Sequence, residues 1–345
     1  MPSTTTAPPG RSSSTPTASV RNRNICWSPS RTAPWPPCNA TRPKPERAAM
    51  QFVVDALLRA GDLMLVTLGL STVYALVRFP NLAQTEYATV GAFMGLLFAG
   101  FGLPLWAAAL AASAITGAFA VALHRLTFAP LLKVSPVIAM IGSLAAAIIV
   151  RSVIQATAGT RSTRFDLPIE APMTVLGAAI TPTQAVILTV TAVFVAGFLL
   201  VLYRTGLGRS MRAVATQPEL ARACGIDSAR VVDAIGFMGG AFAALGGVLL
   251  AVGSQVHFNM GQDLLLPVFA AAIVGGLGSP VGAVFGCLAL AIVETLVTNL
   301  NFGFLTGDDF LYVPLAYGPA AGFCLLVLTL IVRPNGLFFR ESARV

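Results

Sequence analysis

From Met50 onward the chain is a series of apolar stretches, at about 51–77, 87–102, 105–123, 136–156, 180–202, 232–256, 265–298 and 312–332, joined by linkers that carry most of the charge. About 20 helical residues cross the hydrocarbon core of a bilayer, so stretches of this length with few charges predict transmembrane helices. The fold class is therefore all-α, a polytopic transmembrane helix bundle. Two stretches do not read as plain spans. Residues 87–102 are short and punctuated by glycine, and 265–298 is interrupted by Gly275-Gly276-Leu277-Gly278-Ser279-Pro280-Val281-Gly282. Non-helical backbone at membrane depth is tolerated only where protein buries it or water reaches it. Gly275, Gly276, Gly278 and Gly282 are assigned to such a break.

Arginine and lysine give the orientation, because cytoplasmic loops retain them. The 203–230 loop holds Arg204, Arg209, Arg212, Arg222 and Arg230, the 124–135 loop holds Arg125 and Lys133, and the C-terminal stretch holds Arg333, Arg340 and Arg344. All three are expected to be cytoplasmic, and so is the N-terminus. Parity then makes 78–104 and 257–311 begin and end outside, giving about six full spans and two re-entrant or broken helical elements. A faint repeat accompanies them: Asn81-Leu82-Ala83-Gln84-Thr85-Glu86 precedes the first and Asn259-Met260-Gly261-Gln262-Asp263 the second. Broken segments at matching places in two halves point to a transport path.

Composition agrees. The 345 residues are 56% hydrophobic and 10% charged, against about 25% charged in soluble domains. The net charge of +8 belongs mostly to residues 1–49, which hold 7 of the 22 basic and 1 of the 14 acidic residues, leaving a net +2 for the rest. No nucleic-acid partner is needed to explain it. The same 49 residues contain 10 of the 23 prolines, with much Ser, Thr and Arg and no helical or strand period. They read as a disordered extension preceding the membrane domain at 50–345, with Met50 as the natural start. Five cysteines without C-x-x-C spacing and only two histidines argue against a zinc or redox site, and no cofactor is expected.

In the 203–230 loop, Thr216 and Glu219 have capping-box spacing, Pro218 suits a first turn and Gly225 a C′ position. A helix of about two turns is expected there, displaying Glu219 and Arg222 to a partner. Within the membrane, Glu294 is ionisable near the end of an apolar helix, and such residues face a bundle interior or cavity. Asn81, Gln84 and Glu86 at the mouth of the first break either line a path or bind the backbone ends of the break. Arg151 is expected to snorkel to the outer face, and Tyr203 and Tyr312 to anchor at the interfaces. The twelve glycines from Gly236 to Gly286 permit close helix contact.

Four stretches together resemble the permease subunits of branched-chain amino-acid ABC transporters, a family that also includes urea and short-amide importers. They are Gly69-Leu70-Ser71-Thr72-Val73-Tyr74 with Asn81, Ala83, Gln84, Glu86, Gly91 and Ala92; Gly206-x-Gly208-Arg209 through Ala213-Val214; Ala221 through Gly225-Ile226; and Ala272-x-x-Gly275-Gly276-x-Gly278-Ser279-x-x-Gly282-Ala283. Arg333-Pro334-x-Gly336-Leu337 also fits, so the resemblance spans Met50 to Val345. Arg59 and Asp62 depart from a usually more apolar first helix, and Thr216-Gln217 stand where an acidic residue is common. The resemblance implies a non-enzymatic subunit in the bacterial inner membrane. Its partners would be a second homologous permease, two cytoplasmic ATPases and a periplasmic solute-binding protein, with lipid around it. Residues 216–225 would be the coupling helix, with Arg209, Arg212, Glu219 and Arg222 engaging the ATPase. ATP must be hydrolysed elsewhere, since Lys44 and Lys133 are the only lysines and neither stands in a phosphate-binding loop. Two rivals have weaker support. An ion-gradient-driven transporter would want acid pairs at mid-membrane, where Glu294 is nearly alone. An intramembrane hydrolase would want a base at membrane depth, where neither His124 nor His257 is expected.

Overall fold

The computed structural model describes residues 45–166, 171–175, 178–299, 314, 317–333 and 336. The extension before Pro45, together with Tyr312, Pro334, Leu337, Arg340 and Arg344, lies outside the described residues. The helices are α1 (Pro45–Val77), α2 (Glu86–Gly100), α3 (Leu105–Leu123), α4 (Ala129–Leu132), α5 (Pro136–Ala158), α6 (Pro182–Arg204), α7 (Gly206–Thr216), α8 (Pro218–Ala223), α9 (Ser228–Gly253), α10 (Met260–Gly275), α11 (Pro280–Asn299) and α12 (Gly318–Val332). A π turn at His124–Phe128 joins α3 to α4, and a 3-10 turn at Leu82–Gln84 leads into α2. Between α5 and α6 a small antiparallel hairpin pairs β1 (Met173–Val175) with β2 (Ala178–Ile180), Met173 opposite Ile180. Among the described residues, six helical stretches are long and apolar enough to cross a membrane: 50–77, 105–132, 136–158, 182–204, 228–253 and 280–299. The chain is a multi-pass membrane protein.

α1 and α9 form the centre. α1 buries Ala60, Leu63, Leu65, Val66, Leu68 and Leu70 on nearly all sides, as expected of a helix enclosed by other helices. α9 lies antiparallel to it: Gly246 packs on Leu65 and Val66, and Gly239 on Gly69 and Val73. α3 and α6 are peripheral, exposing Leu110, Ile115, Phe119, Val186, Val193 and Leu200.

These contacts fix the ends. Arg78, just past α1, donates from Nη2 to the Ala215 carbonyl in the last turn of α7 at 2.8 Å. The start of α1 is at the opposite end, where Gln51 Oε1 accepts from the Ala179 N–H of the hairpin at 3.0 Å. Within the described residues, the start of α1 and the end of α12 lie at opposite ends of the bundle, against the expectation that both termini share one side. α1 starts at the far end and finishes at the basic end, whereas α12 starts near Thr298, its Gly322 meets Glu294, and the chain beyond it reaches Gly276 through Gly336.

The same correction applies to the first broken element: 78–104 does not return to the side it left, whereas 257–299 does, α10 crossing to the basic end and α11 crossing back to the far end, where Glu294 meets Arg59. α2 runs parallel to α9, with Gly91 against Ala244 and Gly95 against Val248, so residues 78–85 climb from the basic end to mid-bundle and α2 completes the crossing. A 15-residue helix rises only about 22 Å, short of a core of about 30 Å; non-helical backbone at about 3.3 Å per residue makes up the difference. α10 mirrors this in the opposite direction. Val256 bridges Thr163 near the far end, Gly261 meets Glu86 at mid-bundle, and Gly278 beyond α10 lies against Tyr74 and Ala75. The two N-x-x-Q-acid motifs thus precede short helices that both begin inside the bundle and run to opposite ends.

The α10–α11 turn shows why its glycines are needed. A Cβ on Gly275 would sit 2.0 Å from the Gly282 carbonyl oxygen, and Gly276 and Gly278 take φ of +101° and +87°, a region side chains disfavour.

Candidate functional site

Two places gather polar residues. The first is the mid-bundle junction where α2 and α10 begin. Glu86, in the first turn of α2, is only 1% exposed. Its Oε1 accepts from Arg151 Nη2 at 2.9 Å and Nε at 3.2 Å, and its Oε2 from the Thr89 hydroxyl at 3.3 Å. Arg151 Nη1 donates to Gln262 Oε1 in the first turn of α10. Arg151 therefore does not snorkel outward; a carboxylate and an amide hold it at mid-bundle, and both acceptors lie in the first turns of the broken helices. Gly261 allows the approach, since a Cβ there would lie 2.7 Å from Glu86 Oε2 and 2.8 Å from the Thr85 carbonyl oxygen.

Asn81 and Gln84 also reach this junction, but the break itself uses them. Asn81 Oδ1 accepts from the Ala83 N–H at 3.1 Å, and Gln84 Nε2 donates to the Gly239 carbonyl at 2.9 Å. Both are buried: Asn81 satisfies a backbone N–H at the start of the 3-10 turn, and Gln84 ties the break to the middle of α9. Of the three candidates at this mouth, Glu86 alone joins the charged cluster.

Glu294 lies elsewhere. Its Oε2 accepts from Arg59 Nε at 2.7 Å, with Glu294 4% exposed and Arg59 33%. This pair explains why an arginine is tolerated in α1, which continues through it. Arg59, Arg151 and Gln262 were the residues missed by sequence reasoning. The available signal was that Arg59 and Arg151 are lone arginines inside apolar stretches, where a charge needs a partner.

The second place is the basic end. Thr205 ends α6 and caps α7, whose Gly208 packs on the last turn of α6: a Cβ there would come within 1.8 Å of the Leu202 carbonyl oxygen. Arg212 Nη1 donates to that carbonyl at 2.6 Å and the guanidinium lies 5.7 Å over the Tyr203 ring. Arg212 thus fastens α7 to α6, while Arg209 is exposed. The short helix expected after Thr216 is α8, but its start differs. Thr216 donates to the Arg212 carbonyl within α7, and Gln217 occupies the N-cap without a side-chain bond. The stop is as expected. Gly225 has φ +83°, and its N–H and that of Ile226 bond the carbonyls of Arg222 and Ala221, the Schellman pattern. α8 buries only Ala221 and exposes Glu219, Leu220 and Arg222. At this end a cavity of about 290 Å³ lies between α7 and the α10–α11 turn, lined by Ala75, Tyr203, Met211, Arg212, Gly278 and Pro280 among others. Arg125 on the π turn pairs with Asp233 of α9 at 2.5 Å at this end.

No group of three or more His, Cys, Asp or Glu suited to a metal is present among the described residues. Residues 52–331 match the family model described as branched-chain amino acid transport system / permease component. The high-affinity branched-chain amino acid transport system permease protein LivH of Escherichia coli (strain K12) is 27% identical over 312 residues, covering 85% of this chain and 96% of that protein. The probable branched-chain amino acid transport permease protein LivH of Methanocaldococcus jannaschii is 30% identical over 298 residues, covering 82% and 90%. A chain of PsaBC from Streptococcus pneumoniae in complex with Fab superposes with TM-score 0.47 at 14% identity, over 82% of this chain and 92% of that one. Broken helices meeting inside a multi-pass bundle, a capped amphipathic end and a match across nearly all of the membrane domain lead to one assignment: the chain belongs to the family of branched-chain amino-acid ABC transporter permeases.

Proposed function

We propose that this permease moves branched-chain or similar small amino acids inward across the bacterial inner membrane, driven by ATP hydrolysed on separate subunits. The observation that carries this reading is the family match over residues 52–331, joined to relatives whose own names specify branched-chain amino acids. The working assembly is this chain, a second homologous permease, two ATPases and a solute-binding protein. The basic end faces the cytoplasm, in keeping with the retention of arginine on that side. α8 is the coupling helix: Leu220, flanked by Glu219 and Arg222, enters a groove on the ATPase, and α7 transmits the movement through Arg212 to α6 and through Arg78 to the segment leading to Glu86.

Extraction in mild detergent tests the assembly. ATPase subunits should co-purify, and a lone chain that transports without ATP would refute the reading. Glu219→Lys and Arg222→Glu should each abolish ATPase association and transport while membrane insertion is kept; unchanged transport would remove α8 from its role.

A further inference from the structure

Charged and amide groups at membrane depth face a bundle interior, a water-filled cavity or one another, not lipid. Around the mid-bundle junction they are partly open. The Arg151 side chain is 21% exposed, Gln262 is exposed, and the Asp263 side chain is 68% exposed while pairing with His257 Nε2 at 2.9 Å. Gln155, one turn beyond Arg151 on α5, is exposed too. The outward faces of α3 and α6 at comparable depth carry Leu110, Ile115, Val186 and Val193. α5 also exposes Ile148, Ile149 and Val153, so the polar surface is a narrow strip where Arg151 and Gln155 meet the start of α10, set within otherwise apolar faces.

On that polar strip Arg151 is only partly used. Nε and Nη2 are held by Glu86 and one bond from Nη1 goes to Gln262, so two of its five N–H donors have no bond among the described residues. A guanidinium anchored along one edge by a buried carboxylate is fixed in orientation and offers its remaining donors to a second carboxylate. Asp263, next to Gln262 in the same helical turn, supplies a negative charge beside it. A positive fork and a carboxylate on the residue next to one of the fork's own acceptors are complementary to the two ends of a zwitterionic α-amino acid. Two helices also begin here, and helix N-termini at the centre of broken-helix transporters favour an anionic group.

We infer that Arg151, held by Glu86, receives the carboxylate of the transported amino acid at mid-membrane, with Asp263 receiving its ammonium group. This rests on the importer reading above and adds to it a site that discriminates zwitterions from uncharged amides.

The test is uptake of radiolabelled leucine by the full importer in liposomes with ATP inside. Absence of uptake by the wild-type complex would reject the importer reading itself. With wild-type uptake in hand, the double variant Glu86→Gln/Arg151→Gln separates binding from structure, because it removes both charges and leaves no buried ion unpaired. It should assemble with the ATPases and melt near the wild-type temperature, yet lose about ten- to a hundredfold in uptake, as expected for one lost charge-assisted contact. Uptake close to wild type would overturn the inference and make the pair a structural tie. Arg151→Lys is the second variant: it keeps a cation opposite Glu86 but loses the planar fork, so uptake should fall about tenfold or more in an assembled complex. Full uptake by Arg151→Lys would equally count against the proposal.

Discussion

Removing one member of the Arg59–Glu294 pair should have sharply unequal effects depending on which member goes. Glu294 is 4% exposed, its Oε2 bonds Arg59 at 2.7 Å, and its Oε1 is buried without a partner among the described residues. Arg59→Met leaves that carboxylate with no cation, and uncompensated buried charge costs about 3–5 kcal/mol. Glu294→Gln keeps the shape and one acceptor, and the freed Arg59, 33% exposed, can extend its long side chain toward the bilayer surface. That change should cost about 1–2 kcal/mol, in the usual range for a weakened hydrogen bond. The gap of about 2 kcal/mol is a factor of about 30 in the unfolding equilibrium. The apolar double variant Arg59→Met/Glu294→Leu should recover most of the loss, because well-packed apolar replacements of buried ion pairs are often neutral. Reversible unfolding in mixed micelles by increasing dodecyl sulfate, followed by tryptophan fluorescence, measures all three. Equal losses for the two single variants, or a double variant as unstable as Arg59→Met, would refute the reasoning.

Other expectations follow from single contacts. Gly275→Ala places a methyl 2.0 Å from the Gly282 carbonyl oxygen, whereas Gly100→Ala meets nothing within 4 Å; the first should abolish recovery of folded protein in detergent, the second leave it unchanged. Arg212→Ala frees the Leu202 carbonyl and should lower stability by about 1–2 kcal/mol, while Arg209→Ala, at an exposed position, should change it by less than about 0.5 kcal/mol. With all other cysteines replaced, Cys224 beyond α8 and a Gln51→Cys variant should react with a membrane-impermeant maleimide from opposite sides of the membrane; labelling from one side would overturn the placement of α1.

The apolar stretches located the helices well because helix burial in a bilayer depends on length and hydropathy, which are local. The stretch at 105–123 matches α3 residue for residue, and 265–298 divides into α10 and α11 at the glycine run. Direction was less legible. The parity count started from a cytoplasmic N-terminus, while the informative cation was Arg78 at the other end of α1, bonded to α7. That count turned one crossing, 78–104, into an apparent return, while 257–299 does leave and return to the far end. The polar cluster was half legible: Glu86 stood out by type, but its partner Arg151 is 65 residues away on α5, and no local pattern reports so long a separation. The end of α8 was readable in Gly225, since a left-handed C′ residue has a strong preference for glycine.

The central claim, that this chain forms the membrane path of an ATP-driven amino-acid importer, is tested most directly by leucine accumulation in liposomes holding the purified assembly. The account predicts uptake against a gradient only when both internal ATP and external binding protein are supplied, and its loss when either is omitted. Accumulation that proceeds without ATP and follows an imposed ion gradient would contradict it.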